Sequence, residues 1–238
     1  MMSLQEKIDY VVKLGEKLSH SDSPTRREAV VELERILEPE WAKHTPLTDP
    51  EIMPAYRINI PPLLAQAIRT EADNGLLFEM VNLAYMIGPG GPAITEALVE
   101  RMKDVITHAT VTMLGFAILG AICRMGELAR LYSIEQSHDI DDYHVRTWVV
   151  SMLVEGNHFG FGGIHWQAMF LLADSTREED WYCLCELSYV FEEEGFTDRT
   201  EACTGYSMTQ GKGNHEREHC IHPPPTRVYS FFELVGVN

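Results

Sequence analysis

Positive charge is scarce in this chain. Its 238 residues hold 19 Lys and Arg against 36 Asp and Glu, for a formal net charge of −17 and a pI near 4.9. A phosphate backbone needs a positive footprint, so this balance argues against direct DNA or RNA binding. The same field opposes docking on anionic membrane surfaces. It favours a basic partner, or simple solubility. Long apolar runs are also missing. The longest uncharged apolar stretch, Ala109–Cys123, is closed by Arg124 and falls short of the ~20 residues that cross a bilayer. Near the amino terminus, Glu6, Lys7 and Asp9 stand where a secretory signal would need its apolar core, so a cytoplasmic setting is expected. The cysteines are Cys123, Cys183, Cys185, Cys203 and Cys220, an odd set that suits a reducing compartment better than a disulfide framework. No nucleophile elbow, Walker loop or dinucleotide fingerprint occurs.

What the chain has is helical periodicity that recurs roughly every 33–36 residues. One unit reads LAYMIGPGGPAITEALVERM, Leu83 to Met102. A second reads LGAICRMGELARLYSIEQ, Leu119 to Gln136. A third, more degraded, runs from Met152 to Ala173, and a fourth opens at Leu187. Each joins an apolar helix end, a Gly within a few residues and a second apolar-periodic run. Such a helix–turn–helix unit cannot bury its apolar face alone, so neighbours must stack.

These units resemble HEAT-like repeats. The stretches Asp22–Ile36 and Asp141–Leu153 have the same shape, a turn residue before a helix of periodic small and aliphatic side chains. The resemblance implies an all-α fold, a right-handed α-solenoid of about four to five helical hairpins over residues 1–200. It also implies a scaffold or binding module more than an enzyme. Pro39, Pro46, Pro50 and Pro54 mark residues 38–60 as an irregular connection. Helices are expected over 4–18, from a start signal at Ser21–Thr25 to about Leu37, and over 61–71, 75–88, 92–106, 109–123, 126–136, 141–155, 163–173 and 178–193. Residues 201–238 read as a polar, Gly/Pro-rich tail docked on the solenoid.

Two segments carry candidate chemistry. His215-Glu-Arg-Glu-His219 fits H-E-x-x-H, which on a helix puts both His on one face for zinc, with Glu216 as general base. Cys220 and His222 extend it to a possible metal clip. Against the protease reading, Gly211 and Gly213 precede the motif and Pro223 follows it, leaving barely two turns of helix. In the second segment Glu178, Glu179, Asp180, Glu192, Glu193 and Glu194 crowd the last unit as a candidate surface for a basic partner. His138 to His144 holds a third cluster, whose Asp141 or Asp142 is better read as a helix cap than as a metal ligand.

The expected function is therefore a cytoplasmic protein-binding scaffold or immunity-like neutraliser that takes a basic protein partner. It would need no cofactor and would engage neither nucleic acid nor membrane. The alternatives are a zinc-dependent hydrolase built on His215, Glu216 and His219, and a nucleic-acid mimic.

Overall fold

The computed structural model describes residues 3–37, 52–89, 91–106 and 112–164, with Gln167, Ala168, Leu171 and Leu172 after them. Within these residues the chain is all-helical, without a strand. The helices are α1 (Leu4–Lys17), α2 (Ser23–Leu37), α3 (Ile52–Thr70), α4 (Asn74–Ile87), α5 (Pro92–Val105), α6 (Met113–Met125), α7 (Glu127–Gln136) and α8 (Tyr143–Glu155).

Most start where a short polar side chain can accept a free backbone N–H. Ser3 and Glu6 form a reciprocal capping box at α1. Asp22 accepts from Thr25 N at 3.0 Å before α2, and Asp73 from Gly75 N and Leu76 N at 2.8 and 3.1 Å before α4. Thr112 caps α6, and Asp142 accepts from Val145 N at 3.1 Å before α8, the capping role expected of that acidic cluster. Gly88 and Gly91 adopt positive φ (72° and 83°) and Pro92 opens α5, so Gly88–Pro92 is a true break.

The chain forms two compact units, Met1–Ala129 and Arg130–Asn238. In the first, each helix packs on the second one after it. The helices α1, α3 and α5 make one succession, and α2, α4 and α6 make another. The successions are joined by the pairs α1–α2, α3–α4 and α5–α6. The core between them is aliphatic. Leu33, Ile60, Leu64, Leu76, Met80, Leu98, Met102, Ile118 and Leu119 are all fully buried. Each such side chain contributes about 1.5–3 kcal/mol through burial.

Three expectations need correction. The connection expected over 38–60 ends earlier, because residues 52–60 form the first half of α3. Pro54 is harmless in a first turn, but Pro61 and Pro62 lie inside the helix. Each interior proline costs about 3 kcal/mol. Burial of Tyr56, Ile60, Leu64 and Ile68 on one face, at about 1.5–3 kcal/mol each, outweighs that cost. The unit read from Leu83 to Met102 is also framed wrongly. It joins the end of α4 to α5, whereas α5 packs chiefly with α3 and α6. The packing repeat is longer as well. From Ile52 to Pro92 and from Asn74 to Met113 it is about 40 residues. Finally, the helix expected over 109–123 begins at Met113, though it is as buried as expected, with only its outer edge exposed.

In the second unit Arg130 is buried and clamps the end of α8. Its Nε donates to Leu153 O at 2.6 Å, Nη2 to Val154 O at 2.7 Å and Nη1 to Gly162 O at 2.7 Å. The cation satisfies carbonyls that a helix C-terminus leaves open and complements its dipole. Gly156 lies against the guanidinium, where a Cβ would sit 2.6 Å from Nη2.

In the first unit α1 comes close to α3 at Gly15. A Cβ on Gly15 would lie 2.6 Å from Leu63 Cδ1 and 2.9 Å from Ile60 Cδ1. Gly15→Leu is therefore expected to lower unfolding stability by about 1–3 kcal/mol through overpacking. Glu16→Leu, one residue on and exposed, should stay within about 0.5 kcal/mol of wild type. Urea denaturation of the two variants checks this, and equal midpoints would contradict the close α1–α3 contact.

Candidate functional site

The end of α3 carries a carboxylate that sequence reasoning did not single out. Glu71 is 4% exposed. Its Oε2 accepts from Arg26 Nε at 2.7 Å and its Oε1 from Arg26 Nη2 at 3.0 Å, a bidentate fork. Oε1 also accepts from Asp73 N at 2.9 Å. The third guanidinium nitrogen of Arg26 donates to His20 O and Ser21 O in the turn before α2. From α5, Arg101 Nη2 donates to Glu71 O at 3.2 Å. One residue thus joins the α1–α2 turn, the α3–α4 turn and α5. Burial alone would raise the Glu71 pKa. The Arg26 hydrogen bonds, the Asp73 N–H, the Arg26 charge and the Ala72 N–H together hold it below the ordinary value of 4.5.

Further ion pairs run between successive helices. Arg27 of α2 meets Glu79 of α4 at 2.6 Å, and Arg69 of α3 meets Glu100 and Glu96 of α5 at 2.8 and 3.3 Å. These are partly exposed and each is worth about 0–1 kcal/mol, so they orient the packing more than they hold it.

The surface of α4 and α6 is of another kind. Their sequences contain one acid, Glu79, and one base, Arg124. Glu79 is already engaged by Arg27. Phe78, Asn82 and Tyr85 recur at helical spacing along the open side of α4, and Met113, Phe116 and Arg124 along that of α6. Met113 is 75% exposed and Tyr85 40%. The two stripes meet where the Arg124 guanidinium lies over the Tyr85 ring, 5.9 Å from its centroid. Gly88 lies beside the same group, and a Cβ there would be 3.6 Å from Nε. Among the described residues Arg124 has no carboxylate partner. Aromatic residues, Met and Arg with few acids are the composition of an interface core.

The residues singled out from sequence lie elsewhere. His215, Glu216, His219, Cys220 and His222 fall outside the described residues, as do Glu178, Glu179, Asp180, Glu192, Glu193 and Glu194. Among the described residues, no group of three His, Cys, Asp or Glu side chains is placed to hold a metal ion. His138 lies against Glu135 O and Asp139, each through one ring nitrogen. No helix of the described residues is long and apolar enough to cross a membrane. Compared with protein-family models, curated proteins and solved structures, the chain matches none. The HEAT-like resemblance therefore rests on the sequence pattern alone.

The Glu71 junction yields a pH prediction. A carboxylate whose folded pKa is depressed stabilises the fold fully above its unfolded pKa, and loses that contribution as pH falls through the folded value. Glu71→Gln should cost about 2–3 kcal/mol at pH 7 by leaving Arg26 without its charge partner. The gap between variant and wild type should hold down to the ordinary Glu value of 4.5 and narrow below it. Urea denaturation across that range measures it. A gap that widens in acid would show that the carboxylate does not act as described.

Proposed function

We propose that this chain is an α-solenoid of HEAT-like helical hairpins that works as a cytoplasmic protein-binding module. Its partner is a basic protein, as expected of a scaffold or an immunity-like neutraliser. The observation that carries the reading is the helix packing of the first unit. Each helix lies on the second one after it in two parallel successions, as stacked hairpins do. Such an array presents a long outer surface. Here that surface includes the aromatic, Met and Arg stripes of α4 and α6.

The basic partner is supported by the net charge of −17. Excess acid steers an oppositely charged protein toward the surface before any contact forms. In the described helices many cations are tied to acids of the chain itself, Arg26, Arg27, Arg35 and Arg69 among them. The surplus of acid is therefore left to act outward. A polybasic toxin or nucleic-acid-binding protein would lose its target in proportion to such capture.

Affinity capture from cell extract at low salt should enrich proteins of high pI. Association with them should slow as the Debye length falls from about 30 Å at 0.01 M to about 8 Å at 0.15 M ionic strength. An acidic or neutral partner, or association indifferent to salt, would remove the support for a basic one. Metal analysis separates this reading from the hydrolase. Stoichiometric zinc with peptide cleavage that Glu216→Ala abolishes would replace the binder by the enzyme.

A further inference from the structure

The geometry points to the α4–α6 face as the docking site for an apolar segment of a partner protein that brings an aspartate or glutamate to Arg124. This rests on the protein-binding reading and adds where contact is made and by what chemistry.

The argument begins with charge. In a chain with almost twice as many acids as bases, an exposed Arg has many opportunities to pair. Arg26, Arg27, Arg35, Arg69 and Arg101 each meet an acid of the chain itself. Arg124 does not; among the described residues its one charge-related contact is the face of the Tyr85 ring. The nearest acid in these two helices, Glu79, is held by Arg27 at 2.6 Å. A guanidinium over an aromatic face keeps its edge N–H groups free to fork onto a carboxylate. The stacking also fixes the fork in place, so little side-chain freedom is lost on binding.

Shape and polarity fit the same occupant. From Arg124 and Tyr85 at one end, the same sides of α4 and α6 run on to half-buried Phe78 and, about 16 Å along α6, exposed Met113, with no competing charge in either helix besides Glu79. Met fits irregular apolar partners because its side chain is flexible and polarizable. The Gly88 turn leaves the approach to the guanidinium open, since Gly carries no side chain there. The two charge effects act at different ranges. The acidic field guides a basic partner over roughly a Debye length, and Arg124 selects a single carboxylate at contact.

The test is selection of randomised displayed peptides on the full chain, followed by affinity measurement on variants. Enriched peptides should share an Asp or Glu among apolar residues. Arg124→Gln should weaken them roughly tenfold or more, the worth of a charge-assisted hydrogen-bonded pair. Arg124→Glu should reject them and favour the same peptides with Lys in place of the acid. Met113→Ser should weaken both sets, while Lys13→Gln, at an exposed position of α1, should leave them unchanged. Circular dichroism on each variant confirms that the fold is retained. No enrichment, enrichment without an acid, or affinity unchanged by Arg124→Gln would overturn the inference. Peptides that bind yet ignore both Arg124→Gln and Met113→Ser would move the contact surface elsewhere and leave the protein-binding reading standing. A concentration-dependent dimer abolished by Met113→Lys would also overturn it, by making a second copy of the chain the occupant.

Discussion

The ion pair of half-buried Arg26 with buried Glu71 is the constraint around which the first unit is organised. A carboxylate at 4% exposure has lost nearly all its hydration and needs partners that replace it. Glu71 finds them in the Arg26 fork and the Asp73 N–H, and its own carbonyl takes a third contact from Arg101. These partners come from three places in the chain, so the residue is satisfied only when α2, the α3–α4 turn and α5 are all in position. Apolar burial supplies most of the stability here, but it is not directional. The ion pair adds what burial lacks, a geometry with few alternatives.

That arrangement has a consequence for the surface. Arg26, Arg27 and Arg69 pair with acids from other parts of the fold, and Arg101 with Asp104 of its own helix. The charge that remains outward is mostly negative. The open side of α4 and α6 departs from this pattern, being aromatic and Met-rich with Arg124 at one end. A strongly acidic protein thus carries a nearly uncharged face on these two helices. On the proposed reading, long-range attraction and short-range recognition would reside on different residues, so each could change without the other.

The helix starts were legible because their signals are local. Asp22 and Asp142 cap where a capping side chain precedes a periodic run, and Gly88–Pro92 breaks the chain where three glycines and two prolines demand it, whereas the cap at Thr112 went unread because the apolar run continues through it. The course of α3 was not legible, because Pro61 and Pro62 argue locally for a break that burial of Tyr56, Ile60, Leu64 and Ile68 overrides. The hairpin frame was missed for a related reason. Similar residues on either side of the Gly88 turn look like one unit, yet the partner of α5 is fixed by tertiary packing with α3 and α6. Glu71 gave no signal, since its partner Arg26 lies far away in sequence and an acid at the end of a helix normally faces water. The open sides of α4 and α6 were hidden by their overall apolarity, which in sequence resembles a helix buried all round.

The most direct test of this account is native-state hydrogen exchange on wild type and Glu71→Ala. If Glu71 couples the elements it touches, the substitution should lower protection together in α2, the last turns of α3, the start of α4 and α5, while α8 of the second unit keeps its rates. Loss of protection confined to residues next to Glu71 would contradict the account, and would leave apolar burial alone as the source of the packing.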